Sequence, residues 1–254
     1  MLAGVTPQWL RSMFSRIAPR YDLTNAVISA GLDQSWRQRL AQCVARHVAQ
    51  AVLDVACGTG GVMAQLARCC PPTTCLIGVD FTEAMLRIGR QRLATAAPAH
   101  RVYLCVGDAH CLPHPEKSFE AVTMMFGIRN FADPAAGLAE CYRVLRPEGH
   151  LCLVEFSWPR GRALQIVYGG YLRYLLPLLA WPLCGEWAAY RYLRDSVLAF
   201  RPQSDLTTLL QRIGFTDISA AALSGGIATL YAARKPSLLS PVPQETPVWQ
   251  QLGV

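Results

Sequence analysis

Apolar positions along the chain fall into short unbroken runs separated by longer amphipathic stretches. Ala51–Val55 (AVLDV) has the length and composition of a buried parallel strand, and Cys75–Val79 (CLIGV) and the segments 102–106, 121–126 and 150–156 read as further strands. Between them lie helix-spaced segments: Val62 to Arg68, one that Thr82 caps, and one opened by Asp133-Pro134 that runs through Leu145 and is stopped by Pro147 and Gly149. Strands alternating with helices predict a parallel α/β sheet. Upstream, Met13, Phe14 and Ile17 make one face of a short helix that Pro19 ends. Trp36, Leu40, Val44 and Val48 recur at four-residue steps from Asp33, which reads as an N-cap. Downstream, a helix with Trp187, Tyr190, Leu193 and Val197 and another from Gln203 to Ile213 precede two strands. These, Phe215 to Leu223 and Ile227 to Ala233, are joined by Ser224-Gly225-Gly226 as a β-hairpin. The pattern divides the chain into a helical cap over 1–48, a main domain over 49–234 and, from Lys235, a proline-rich tail expected to be disordered.

One stretch breaks the alternation. Residues 163–185, inside an expected lid or interfacial insertion at about 160–200, are crowded with Tyr, Leu and Trp and interrupted by Arg173, Pro177 and Pro182. The uncharged run from Tyr174 to Gly185 is too short to span a bilayer. It fits an interfacial or lid element, or a buried helical hairpin. Composition sharpens this picture, because 52% of residues are apolar and only 16% charged, which points to contact with something apolar. The net charge of +7 suits an anionic surface, but no lysine–arginine run offers a nucleic-acid arm. Ten scattered cysteines include no C-x-x-C pair and no zinc-like spacing, so no metal site is expected. With no signal peptide, reduced thiols in a cytoplasmic compartment are expected.

Candidate chemistry concentrates after the first apolar run. That run carries one acid, Asp54, then breaks into Ala56-Cys57-Gly58-Thr59-Gly60-Gly61. Glycines there let the backbone turn sharply and approach a ligand closely. Free N–H groups then face the crevice where doubly wound sheets bind ligands. Two cofactor classes compete for such a loop. A dinucleotide loop needs G-x-G-x-x-G, but Met63 fills the third glycine's place, where its side chain would hold helix and strand apart. Counted from Asp54 the pattern is D-x-A-x-G-x-G, which resembles motif I of class I S-adenosylmethionine methyltransferases, with Ala56 where many members carry glycine. An acid suits a sulfonium and an ammonium and repels a pyrophosphate. Asp80, ending the second run, is placed to accept from ribose hydroxyls in either class.

Longer matching text runs from Met13-FSRIAPRYDLTNAVISAG-Leu32 with Trp36-Arg37 through VLDVACGTG, GVDFTEAML, GDAHCLP, SFEAVTMMFGIRNF, YRVLRPEG, VEFSWP and AYRYLRDSV. Together these resemble the quinone-biosynthesis C-methyltransferases, which act on demethylmenaquinol or polyprenyl-methoxybenzoquinol. The resemblance covers about Met13 to Arg234, and FGIRNFADP is its most specific piece. Because it begins at Met13, the basic residues Arg11, Arg16 and Arg20 are not read as a cleaved transit peptide. The implied fold is that of class I methyltransferases: a mostly parallel seven-stranded sheet ending in an antiparallel hairpin, with an N-terminal helical cap. S-adenosylmethionine is the implied cofactor, held by Asp54, Gly58, Thr59, Gly60, Asp80, Phe81, Asp108 and Ala109. Tyr21 and Asn130 are implied to border the substrate. The implied partners are an isoprenoid quinol and, peripherally, a membrane surface; a homodimer is left open. Departures from the family pattern include Met125, where some members have serine, and Phe200-Arg201-Pro202, where many read Phe-Pro.

Methylating a ring carbon needs a carbon nucleophile, and a quinol ring becomes one when a hydroxyl with a pKa of about 10 is deprotonated. Arg129 is the expected stabiliser of that phenolate, since its guanidinium stays charged and presents a planar fork. It is a poor base, which leaves Asp22, Glu155 and His110 as candidates to move a proton. Asp22 also reads as a helix cap, and His110 as a surface histidine. The aromatic segment 163–192 reads either as core packing or as a channel for an isoprenoid tail. Two rival functions remain: a class I methyltransferase for a sterol or phenolic metabolite, and a non-catalytic cofactor-binding subunit of a quinone-synthesis assembly.

Overall fold

The computed structural model describes residues 4–47, 50–179, 185–200 and 203–237. Its first elements are helices α1 (Pro7–Ile17), α2 (Tyr21–Ile28) and α3 (Leu32–Ala45), with a 3₁₀ turn at Ala18–Arg20. Strands β1 (Ala51–Val55), β2 (Cys75–Asp80), β3 (Arg101–Val106) and β4 (Phe119–Met125) alternate with helices α4 (Gly61–Cys69) and α5 (Glu83–Ala96). A 3₁₀ turn at Ile128–Asn130 leads to α6 (Pro134–Val144) and β5 (Leu145–Phe156). Helix α7 (Arg162–Gly170) continues into a π-helical turn (Tyr171–Leu175), followed by α8 (Trp187–Ala199), α9 (Gln203–Ile213), β6 (Thr216–Leu223) and β7 (Ala228–Arg234).

The strands form one sheet in the order β3-β2-β1-β4-β5-β7-β6, with β1 to β5 parallel and the β6–β7 pair antiparallel. Order reverses beside β1, so the crevice above β1 and β4 is where ligands collect in such sheets. One face is covered by α3, α4 and α5 through Trp36, Leu40, Val44, Met63 and Leu86. The other carries α6 and α9 through Leu138, Val144, Leu206 and Leu210. A third apolar cluster, Leu10, Met13 and Ile17 with Tyr168, Leu172, Tyr190 and Tyr192, joins α1 to α7 and α8. The amino-terminal helix α1 is therefore held by a core it shares with α5, α7 and α8.

Met63 occupies a glycine's usual place without prying helix from strand. A Cβ on Gly78 of β2 would come within 2.7 Å of Met63 Sδ, so the missing side chain on the strand makes room for the one on the helix. Three local expectations are corrected. Asp33 lies inside the first turn of α3, and the N-cap is Gly31, whose φ of +78° lets the chain turn sharply out of α2. α6 stops at Val144, and β5 begins at once because Leu145 already pairs with Phe119; its register against β4 then slips around Pro147 and Gly149, where Glu148 takes φ +64°, and resumes at His150 opposite Ala121. Lys235, assigned to the tail, is buried, its Nζ donating to the carbonyls of Tyr142 (2.7 Å) and Leu145 (2.8 Å). The rest of the tail from 238, and Val48, Pro182, Arg201 and Pro202, lie outside the described residues. Among those residues no helix is long and apolar enough to cross a membrane.

Candidate active site

β1 ends by delivering Asp54 to the floor of the crevice, opposite Thr123 of β4. Thr123 Oγ1 donates to Asp54 Oδ1 at 2.7 Å, while the buried Oδ2 has no partner. Burial, against the Thr123 bond and with the charge of Asp80, pushes the Asp54 carboxyl up to about 7. Next to it Ala56 adopts φ +55°, and Gly58 (φ +53°) and Gly60 (φ +73°) complete the turn. Asp80 closes the loop from β2, accepting from the backbone N–H of Gly58 (2.9 Å) and of Thr82 (2.8 Å). Burial raises its pKa against those two bonds.

Beyond β2 and β3, Asp80, Phe81, Asp108, Ala109 and Asn130 line a slot that reaches back to Ala56. Partial burial works to raise the Asp108 pKa, but it is outweighed by the His110 N–H, the His110 ring and Arg11, which hold the carboxyl below its ordinary value. His110 Nδ1 lies 2.7 Å from Asp108 Oδ1, and its Nε2 accepts from Asp133 N at 3.3 Å. Both ring nitrogens are thus engaged, and His110 shapes the slot without a free nitrogen for proton transfer. An unpartnered buried acid, open space where a Cβ on Gly58 would stand, and a slot with carboxylates along one side fit a cation-bearing nucleoside.

A second cavity shares Ala56 with that slot and is lined by Asp54, Gly58 and Thr59 of the glycine loop together with Tyr21, Asn25, Trp36, Phe126, Arg129, Phe156 and Tyr192. Arg129, on the 3₁₀ turn after β4, brings a buried guanidinium to this cavity, with its side chain 7% exposed; Arg37 of α3 brings a second. Nη1 donates to the Phe126 carbonyl and, at 3.0 Å, to Glu155 Oε1. Phe126 and Phe156 stack at 4.0 Å, and the guanidinium lies 5.7 and 5.1 Å from their centroids. Its Nε is buried without a partner. Phe126 takes φ +58°, one of two strained non-glycine positions at the strand ends over the crevice, the other being Ala56. Glu155, 0% exposed, also accepts from the backbone N–H of Phe156 (2.9 Å) and of Arg129 (3.3 Å). It does not line the cavity. Burial raises its pKa, and Arg129 opposes the rise. Asn130 is fixed in turn, accepting from Tyr192 Oη at 2.7 Å and donating to the Phe126 carbonyl at 3.3 Å.

The cap is tied to the glycine loop by charge. Asp22 of α2 accepts from Thr59 Oγ1 at 2.9 Å and forms an ion pair with Arg92 of α5. Arg92 also donates to the Thr59 carbonyl (3.0 Å) and hydroxyl (3.1 Å). Arg37 lies 2.7 Å from Asp33 and 4.0 Å from Asp22, and is packed where a Cβ on Gly61 would collide with it. Nothing in the sequence marks Arg92 as a site residue, and it marks Asp33 only as a helix cap and Tyr192 only as part of an aromatic segment. Arg92 is one of several arginines on an amphipathic helix, and its role exists only because α2 folds back 70 residues to meet it.

The chain matches the model of the ubiE/COQ5 methyltransferase family over residues 3–235. It is 40% identical over 226 residues to the ubiquinone/menaquinone biosynthesis C-methyltransferase UbiE of Geobacter sulfurreducens, covering 89% of this chain and 88% of that one. It is 40% identical over 228 residues to the demethylmenaquinone methyltransferase of Deinococcus radiodurans, covering 90% and 93%. Among solved structures, a SAM-dependent methyltransferase from Aquifex aeolicus superposes with a TM-score of 0.54 at 14% identity, over 73% of this chain and 82% of that one. That likeness bears on the fold alone, which is the seven-stranded class I sheet expected from the sequence. With its floor acid, glycine turn and family match, this chain is an S-adenosylmethionine-dependent methyltransferase that belongs to the ubiE/COQ5 methyltransferase family.

Proposed function

We propose that the chain methylates a ring carbon of an isoprenoid quinol, with the cofactor running from the slot of Asp80, Asp108 and Ala109 to Asp54 and the glycine loop, and the ring in the part of the adjoining cavity bordered by Tyr21 and Arg129. The observation that carries this reading is Arg129, whose buried guanidinium lies beside the stacked rings of Phe126 and Phe156 in the cavity that Asp54 also lines. S-adenosylmethionine supplies an electrophilic methyl group when bound. Arg129 holds the ring oxygen as phenolate, its hydroxyl proton passing to solvent; once the ring carbon has taken the methyl group from sulfur, that carbon's proton is likewise lost to solvent and the aromatic ring is restored. Glu155 acts as a positioning residue: its oxygens are filled by donors from Arg129 and Phe156, and it fixes the guanidinium from behind. Asp22, saturated by Thr59 and Arg92, likewise positions the cap and is no free base. The names of the relatives, which mention ubiquinone, menaquinone and demethylmenaquinone, support a quinol over a sterol or another phenol.

The test is turnover with reduced demethylmenaquinol and with a polyprenyl-methoxybenzoquinol, followed by mass. Arg129→Ala should lower kcat about 10²–10³-fold, the usual loss for one preorganised donor. Arg129→Lys keeps the charge without the fork and should recover part of that rate. Cofactor affinity should hold in both. An Arg129→Ala protein that binds cofactor and turns over near the wild-type rate would remove the residue from the mechanism.

We also propose peripheral contact with a membrane surface. Ile166, Val167, Tyr174, Leu175 and Leu178 are exposed along α7 and its continuation, with Arg162 and Arg173 exposed beside them.

A further inference from the structure

A third cavity, of about 270 Å³, lies behind the ring pocket and is not used by the chemistry above. It is walled by Ile28, Leu164, Tyr168, Leu172, Leu176 and Val197, from α2, α7, its π-helical continuation and α8. Of the four side chains on its wall that carry a polar atom, Ser29, Trp36, Tyr168 and Tyr171, three bond protein partners. Ser29 Oγ donates to Asp33 (3.0 Å), Trp36 Nε1 donates to Ser224 Oγ (2.9 Å), and the Tyr171 hydroxyl donates to the Ile28 carbonyl. With those groups satisfied internally, a carbon-lined space of this kind selects hydrocarbon and rejects water or polar ligands.

Two features give the cavity direction. Its inner wall is shared with the ring pocket, since Ile28, Trp36, Phe156 and Leu193 line both. Its outer rim includes Leu32 and Val167, and Val167 is 67% exposed on the apolar face of α7. The π-helical turn at Tyr171–Leu175 widens the helix where Tyr171 and Leu172 reach the cavity, a distortion that recurs at functional sites. We propose that this cavity is the subsite for the ring-proximal isoprene units of the substrate's tail, and that the remaining tail leaves past Leu32 and Val167 toward the apolar surface. The proposal rests on the quinol reading for what is attached to the tail, but not for the cavity's preference for a branched hydrocarbon. Because the space is finite and open at one end, tail recognition saturates. The first few five-carbon units improve kcat/KM several-fold each, and longer tails add little.

The experiment has two arms. In the first, farnesol, a fifteen-carbon isoprenoid alcohol, is titrated in a thermal shift assay against the wild type, Leu164→Trp and Val167→Trp. It should raise the wild-type Tm by several degrees and the variants' much less. In the second, kcat/KM is measured for quinols bearing no tail, one, two, four and eight isoprene units. The wild type should climb and then level, and the ratio of tailed to tail-less substrate should fall about tenfold in both variants. Should Leu164→Trp not fold, Val167→Trp, at a solvent-exposed position, carries the test alone. A wild type indifferent to farnesol and to tail length, or variants whose tailed-to-tail-less ratio matches the wild type, would overturn the subsite. A farnesol response without methylation of any quinol would retain the hydrocarbon site and overturn the quinol reading and the tail assignment instead.

Discussion

Asp54 stores the cost of its own burial. Its folded pKa of about 7 lies above the unfolded value near 3.8, so the folded state holds a proton that the unfolded state has lost. The sign follows directly. Stability falls as pH rises from about 4 to about 7 and is flat above, and Asp54→Asn should remove that slope. A sulfonium or ammonium next to Oδ2 favours the ionised acid, so cofactor affinity should rise about tenfold between pH 6 and pH 8. Calorimetry across that range checks it, and Asp54→Asn should bind weakly and without pH dependence. A wild-type affinity that is flat from pH 6 to 8 would detach Asp54 from the cofactor. Such residues are legible in sequence because an acid in an unbroken apolar strand is anomalous, and Asp54, Asp80 and Glu155 all stand out that way. What the anomaly does not reveal is which oxygens are already occupied. Glu155 and Asp54 look alike as strand-end acids, yet only Asp54 keeps a buried oxygen without a partner.

Elements near the cofactor were legible where local pattern decides them and opaque where a distant partner does. The five parallel strands and the closing hairpin follow from apolar runs and turn residues, which are local. α2 has no comparable stripe; Leu23 and Val27 are exposed, and the helix persists because Thr24 and Asp22 are anchored. Its anchor is the ion-pair group of Asp22, Arg92, Arg37 and Asp33, joining α2, α5 and α3 across the glycine loop. These pairs are partly buried and hydrogen-bonded to Thr59, the setting in which charge-assisted bonds have a measurable effect. Loosening the cap should release cofactor. Arg92→Ala and Asp22→Asn should each weaken S-adenosylmethionine binding about tenfold, roughly 1.4 kcal/mol, with kcat at saturation within a few-fold of wild type. The exchanged pair Asp22→Arg with Arg92→Asp should recover part of the affinity, which a packing defect would not do. Were Asp22→Asn to lose kcat a hundredfold with affinity intact, Asp22 would return to the mechanism as a base.

On the scale of the whole molecule, the ring pocket, the hydrocarbon cavity and the exposed apolar strip lie in sequence from the sheet edge to the surface. Phe156 and Trp36 wall the first two, and Val167 belongs to both the second and the strip. A substrate whose tail partitions into lipid need only tilt its ring out of the bilayer to enter, so the strip should face the membrane. Composition hinted at this, but it could not choose between a lid and a buried hairpin for residues 163–185. Among the described residues of that segment, Tyr168, Leu172 and Leu176 are buried while Ile166, Tyr174 and Leu178 are exposed. The contact should be weak and partly electrostatic. Each large side chain withdrawn from water contributes at most about 1.5–3 kcal/mol. Exposed arginines such as Arg162 and Arg173 add about 1 kcal/mol apiece on an anionic surface. Flotation should therefore recover the protein with phosphatidylglycerol-rich vesicles and less of it with neutral ones, and salt should reduce recovery without abolishing it. Ile166→Asp combined with Leu178→Asp should abolish flotation while cofactor affinity stays at the wild-type value, because neither residue borders the slot over Asp80. A double variant that floats like the wild type would place the membrane-facing surface elsewhere on the molecule.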